Sequence, residues 1–163
     1  RRGASLVVAV DVGYGQLAWE LRQDPRVKVL DRTNIRHLTG EQVSEDIDLV
    51  VADLSFISLS LVLPALAAVS KPDADFVLMV KPQFEVGREK LGAGGVVRDP
   101  ALRRAAVLDV AESAYDVGLG TMGIAASPLP GPAGNVEYFL WLRRGAPEID
   151  EAALDTAIAM GPA

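Results

Sequence analysis

An α/β fold built on a mainly parallel sheet is predicted by three features of this 163-residue chain. Hydrophobic residues make up 50% of it, enough to bury a real core and to exclude a disordered segment. Short apolar, β-branched runs alternate with stretches of helical character, the order that lays helices against parallel strands. Three of the apolar runs also place one charged residue at an end: Asp53 closes 47–53, Lys81 closes 76–81 and Glu137 opens the last run. In an open α/β sheet ligands bind beyond the carboxyl ends of the parallel strands, so Asp53 and Lys81 point into one crevice. An antiparallel last strand would bring Glu137 to the same edge. An Asp, a Lys and a Glu gathered there form a set suited to handling protons rather than to packing.

The elements follow in order. Residues 6–11 read as a buried strand, 16–23 as a helix and 27–30 as a short strand before Asp31. A brief helix near 40–44 precedes the strand that ends at Asp53. The next helix, around 61–69, tolerates Pro64 only in its first turn. After the strand 76–80, the segment 82–95 has no clean period and three glycines at 92, 94 and 95, and reads as a loop over the crevice. Asp99 and Pro100 supply an N-cap and a first helical residue for an amphipathic helix that runs to about Val117 and stops at Gly118. A strand near 121–126 and the strand holding Glu137 flank a loop rich in Pro and Gly, and 148–160 reads as a closing helix or tail. No repeat or low-complexity run appears.

Composition narrows the function. The chain has no cysteine and a single histidine, His37, which reads as a loop residue; disulfide, thiolate and His-rich metal chemistry are excluded. No signal peptide is visible, and the longest apolar stretch, 59–69, is too short to span a bilayer and contains Pro64, so a cytoplasmic protein without membrane partners is expected. The net charge of −6 argues against a nucleic-acid surface spread over the whole domain. Locally the balance reverses: Lys81, Arg88, Lys90, Arg98, Arg103 and Arg104 face only Glu85, Glu89 and Asp99, a net of +3 that could meet a phosphate backbone.

Two readings of the front compete. Val8 to Ala18 gives a strand, a Gly13-x-Gly15-x-x-Ala18 turn and a helix, and a second strand ends at Asp31, about where an NAD-type dinucleotide fingerprint wants its ribose acid. Asp11 opposes that reading, since its charge would face a pyrophosphate.

The runs Val-Ala-Asp-Leu-Ser-Phe-Ile-Ser (51–58), Val-Lys-Pro-Gln-Phe-Glu-Val-Gly (80–87), Gly-Gly-Val-Val-Arg-Asp-Pro (94–100) and Ser-Pro-Leu-Pro-Gly-Pro-Ala-Gly-Asn-Val-Glu-Tyr-Phe-Leu-Trp-Leu (127–142) carry a resemblance. They are similar to the C-terminal half of TlyA-type proteins, ribosomal RNA 2′-O-methyltransferases also labelled hemolysin A, with an FtsJ-like domain. The resemblance implies a Rossmann-like S-adenosylmethionine-dependent methyltransferase fold over residues 1–145, with 146–163 as a C-terminal helix or tail. It also implies that the family's first strand, its glycine-rich loop and an S4-like RNA-binding domain would precede Arg1, with residues 1–4 as the tail of a helix. In that topology the absent strand lies between those ending at Asp11 and Asp53, and the chain as given is expected to be an incomplete, inactive fragment.

Within the resemblance, Asp11 accepts both ribose hydroxyls of S-adenosyl-L-methionine, Val12 packs on the adenine, and Thr33 and Asn34 border it. Asp53 borders the cofactor and, with Lys81 and Glu137, is catalytic. The reaction implied is in-line attack of a ribose 2′-oxygen on a sulfonium methyl, with no metal. A base or cation must stabilise the developing oxyanion. Lys81 matches the catalytic lysine; carboxylates beside a lysine favour its ammonium form, and the second lysine that the family places upstream is not in this chain. Asp53-Leu54-Ser55-Phe56 lacks the Pro-Pro of amino-group methyltransferases, which favours a hydroxyl acceptor, and Phe56 and Phe84 could stack on a nucleotide. Ribosomal RNA or a ribosomal subunit is the implied partner, with Arg88, Lys90, Arg98, Arg103 and Arg104 as candidate RNA contacts. A membrane-active hemolysin is the alternative that the family label suggests; the sequence offers it no spanning segment and no strongly basic amphipathic helix.

Overall fold

The structure, a computed structural model, describes residues 3–87, 89 and 91–162. Strands β1 (Val7–Val10) and β2 (Val27–Leu30) pair in parallel as a two-stranded sheet, bridged by the single-turn helix α1 (Trp19–Arg22). A second sheet holds β3 (Leu49–Ala52), β4 (Asp75–Val80), β5 (Leu119–Ala126) and β6 (Tyr138–Arg144) in the order β3-β4-β6-β5. The β3–β4 pair is parallel, whereas β6 runs antiparallel to both β4 and β5. Helices α2 (Leu63–Ala68), α3 (Pro82–Glu85), α4 (Pro100–Asp116) and α5 (Glu151–Ala159) complete the chain.

Several expectations need correction. Residues 40–42 form a turn rather than a helix, and the nearby helical turn is the 3-10 segment Ile35–His37, capped by Asn34. The segment 82–95 is not wholly loop, because Pro82 opens a helical turn directly after Lys81. Gly3, with φ of 95°, and Ala4 are not helical, and Arg1 and Arg2 lie outside the described residues. Glu137 sits just before the last strand instead of within it.

The long helix behaves as its sequence implies. Asp99 caps it by accepting from Ala101 N at 2.9 Å, Pro100 occupies the first position, and Gly118 adopts φ of 83° just past its end, a conformation that glycine adopts without a Cβ penalty. Its buried stripe, Ala106, Val107, Val110, Ala111 and Ala114, repeats at helical spacing and packs on the four-stranded sheet. That core joins Leu63 and Leu66 of α2, alternate residues Phe76, Leu78 and Val80 of β4, Tyr138, Leu140 and Leu142 of β6, and Leu154 of α5. Thus the C-terminal helix shares the core of the preceding fold. The opposite side of β3 is open, with Val51 71% exposed.

At the start of β4, Asp75 accepts from Arg143 through Nε and Nη2 and from Trp141 Nε1 at 2.7 Å. The Arg143 guanidinium holds the Asp75 carboxyl below the usual carboxylate range. A group more acidic in the folded chain than in the unfolded one stabilises at neutral pH and loses that contribution as pH falls through its depressed value. Asp75→Asn should therefore lower the thermal midpoint at neutral pH and leave it nearly unchanged in strong acid, as read by circular dichroism melts.

Candidate active site

Lys81 is the first residue beyond β4 and stands at the N-cap of α3. Its side chain is 13% exposed, and Nζ lies 2.6 Å from Asp53 Oδ1, beyond the end of β3, and 3.2 Å from Ser55 Oγ. The Val80–Tyr138 pairing of β4 with β6 sets Glu137 beside Lys81 across the antiparallel ladder. Asp53, Lys81 and Glu137 therefore share one edge. Glu137 is buried, 6% exposed, and its Oε1 accepts from Gln83 Nε2 at 3.0 Å. In the loop that covers it, a Cβ on Gly131 would stand 2.8 Å from Glu137 Oε1, so any other residue there would displace the carboxylate.

Gln83, Ser55 and Glu85 were not singled out from the sequence. The signal was present in Pro-Gln-Phe-Glu: proline at the first helical position forces a turn that swings Gln83 toward Glu137 and Glu85 toward the loop after β3. Glu85 accepts from Ser58 Oγ at 2.5 Å and from Leu59 N at 2.9 Å, tying the loop that carries Asp53, Ser55 and Phe56 to the turn that follows Lys81. Burial pushes the Glu85 carboxyl up against the pull of these hydrogen bonds. The sign is opposite to that of Asp75: stability contributed by Glu85 is fully present below the unfolded carboxylate pKa and is lost as pH rises through the elevated folded value. Thermal midpoints of the wild type and Glu85→Gln, compared across the weakly acidic range, should show this downward slope only in the wild type.

Phe56 has φ of 64° and is 90% exposed, with its ring 5.1 Å from that of Phe84. The two rings stand beside the Lys81 edge.

A second group occupies the ends of β1 and β2. Asp11 is exposed, accepts from Gly13 N at 2.7 Å, and its backbone carbonyl takes the amide of Thr33 at 3.0 Å. Val12 is 73% exposed. Asn34 accepts from Arg36 N at 3.0 Å, and Thr33 Oγ1 donates to Asp31 O. Asp31 is held by Arg22 at 2.7 Å, so the acid of the dinucleotide pattern is already paired. Of the candidate RNA contacts, Arg88 and Lys90 lie outside the described residues. Arg104 is bound to Asp155 and Glu151, Arg98 reaches Ala93 O at 3.5 Å, and Arg103 is partly buried. Among the described residues no cluster of His, Cys, Asp or Glu could hold a metal ion, and no helix is long and apolar enough to cross a membrane.

The α/β fold thus carries two candidate groups, a strand-end acid beside an exposed apolar residue in the two-stranded sheet and an edge of the four-stranded sheet bearing Asp, Lys and Glu. Residues 1–144 match the family described as FtsJ-like methyltransferase, and the chain belongs to it. It is 59% identical over 166 residues to "16S/23S rRNA (cytidine-2'-O)-methyltransferase TlyA" of Mycobacterium tuberculosis, a match covering 99% of this chain and 62% of that protein. It is 32% identical to "23S rRNA (cytidine-2'-O)-methyltransferase TlyA" of Campylobacter jejuni, over 83% of this chain and 52% of the relative. The solved structure named "Putative hemolysin from Streptococcus thermophilus" superposes with a TM-score of 0.91 at 39% identity, covering 96% of this chain and 58% of that one. The chain thus spans about 62% of the length of its M. tuberculosis relative.

Proposed function

We propose that this chain carries the catalytic part of a cytoplasmic S-adenosyl-L-methionine-dependent RNA methyltransferase that modifies ribose 2′-hydroxyls of ribosomal RNA. The observation that carries the reading is the Lys81–Asp53 ion pair set beside buried Glu137 at one sheet edge. The residues at the ends of β1 and β2 fit the cofactor: Asp11 offers an exposed carboxylate for ribose hydroxyls, and Val12 offers an exposed apolar face for an adenine. When bound, S-adenosyl-L-methionine supplies an electrophilic methyl group.

The chain's own residues do the rest. Asp53 and Ser55 hold Lys81 Nζ so that its remaining N–H donor can face a 2′-oxygen and stabilise charge developing there. Glu137, oriented by Gln83, offers a carboxylate on the other side of Lys81 to receive the hydroxyl proton or to hold the hydroxyl in line. Phe56 and Phe84 present an apolar surface on which an unstacked base can rest.

The two sheets share no strand pairing among the described residues, and β1 and β3 each have one open edge. This supports placing a further strand and its glycine-rich loop, supplied by sequence outside these 163 residues, between them. The test is paired: calorimetric titration of the chain with S-adenosyl-L-methionine and with NAD, and transfer of radiolabelled methyl to ribosomal subunits by the chain and by a version extended to the length of its relatives. The extended protein should bind S-adenosyl-L-methionine and not NAD and should label RNA, while the shorter chain binds weakly and labels little. Preferred NAD binding would sink the reading, and equal labelling by both would remove the need for the added strand.

A further inference from the structure

Between the first turn of α4 and the end of α5 the fold leaves an open cavity of about 840 Å³, one wall of which includes Val136, the neighbour of Glu137. Arg103 of α4 lines it, and the Nε of Arg103 is buried without an acceptor. Tyr138 is wholly buried, yet its hydroxyl also has no partner. That hydroxyl lies behind the cavity wall, 3.5 Å from where a Cβ on the lining residue Gly161 would stand. The positive charge of Arg103 is close enough to oppose the rise that burial imposes on the phenol.

Arg98 lines the same cavity and spends one nitrogen on the carbonyl of Ala93. Among the described residues the one carboxylate lining it, Asp155, is already bound to Arg104. Among the described side chains lining the cavity, guanidinium groups therefore outnumber carboxylates. A buried donor left unpaired costs free energy, and a guanidinium beside a phenol matches the oxygens of a tetrahedral anion in geometry and charge. The positive end of the 17-residue helix α4 faces the same space. Asn135 accepts from Val97 N at 2.9 Å and donates to Gly95 O at 3.1 Å, so the loop before α4 and the loop before Glu137, both of which contribute to the cavity lining, are joined.

We propose that this cavity binds a phosphate group, with Arg103 and Tyr138 donating to its oxygens and Arg98 supplying the second positive charge. The phosphate chemistry stands on the cavity alone. That an RNA backbone supplies the phosphate rests on the functional reading above, and it would brace the Glu137 loop from behind while the ribose is held in front.

The first arm titrates inorganic phosphate into the isotope-labelled chain and follows amide shifts by NMR. Saturable shifts are expected at residues 98–103 and around Gly161, with affinity falling roughly tenfold in Arg103→Ala and several-fold in Tyr138→Phe. Arg103→Lys, which keeps the charge, should bind in between; it and Tyr138→Phe keep the test open if the alanine variant melts early. The second arm measures binding of a single-stranded RNA oligonucleotide over a salt series. If RNA supplies the phosphate, the slope of log K against log salt shrinks by about 0.7 in Arg103→Ala. Phosphate binding that depends on Arg103, with an unchanged RNA slope, supports the site and assigns it to free phosphate. No saturable phosphate shift, or shifts indifferent to both Arg103→Ala and Tyr138→Phe, overturns the proposal. Failure of the protein to bind S-adenosyl-L-methionine would strike the functional reading and leave the phosphate result standing.

Discussion

Lys81→Ala, made in the protein at the length of its relatives, is expected to lower kcat for RNA methyl transfer by about two to four orders of magnitude, the usual contribution of a positioned proton-handling group. The Kd for S-adenosyl-L-methionine should stay within a few-fold. The reason is positional. Lys81 lies just beyond β4 beside Glu137, whereas the cofactor-ribose acid proposed here, Asp11, lies just beyond β1 in the other sheet. Its side chain is mostly enclosed and its ammonium is fixed by Asp53 at 2.6 Å, so removal leaves Asp53 as an unpaired acid facing the acceptor oxygen. Asp53→Asn should be milder, because it frees the lysine without removing it. Single-turnover kinetics separate chemistry from binding. A large rise in cofactor Kd with an unchanged single-turnover rate would make Lys81 a structural residue.

The edge that this experiment probes was legible in the sequence because a charged residue at the end of a largely apolar run has few places to go except the rim of a sheet. Asp53, Lys81 and Glu137 each met that description, and the Val80–Tyr138 register brings the last two side by side. The support around them was not legible. Glu85 reaches Ser58 across 27 positions of sequence, and Gln83 reaches Glu137 across 54, separations that no local period encodes. Short helices escape it for a related reason: α1 and α3 have four residues each, too few for a 3.6-residue repeat to show, so the pattern over 16–23 overestimates the first and the segment 82–95 shows no period for the second. β5 begins at Leu119 and shifts register between Thr121 and Gly123, which hid its first residues. The basic patch was legible as charge but not as partners. Arg104 is taken by Asp155 and Glu151, while Arg103 is left with a buried nitrogen to satisfy.

Phe56→Gly is expected to separate stability from activity in opposite directions. A bulky residue at φ of 64° sits in the left-handed region, where an L side chain costs roughly 1–2 kcal/mol and glycine costs little. With 90% of its surface exposed, the ring has little apolar burial to lose. The thermal stability of Phe56→Gly should therefore match or exceed the wild type, although Phe truncation in a core ordinarily costs about 3–5 kcal/mol. The strain is held from both sides: Ser55 is bonded to Lys81, and Ser58 and Leu59 are bonded to Glu85, so the loop cannot relax and the ring is kept beside Phe84 at the mouth of the site. Stored strain at an exposed aromatic makes sense if the ring meets a base. Base-on-aromatic stacking is worth about 1–3 kcal/mol, so kcat/KM for the RNA should fall by about 5- to 150-fold. Cofactor affinity should not change. Phe56→Trp should retain most of the rate, because it restores the stacking surface. If Phe56→Gly instead melts several degrees lower and methylates RNA at the wild-type rate, the ring is packing for Phe84 and the base lies elsewhere.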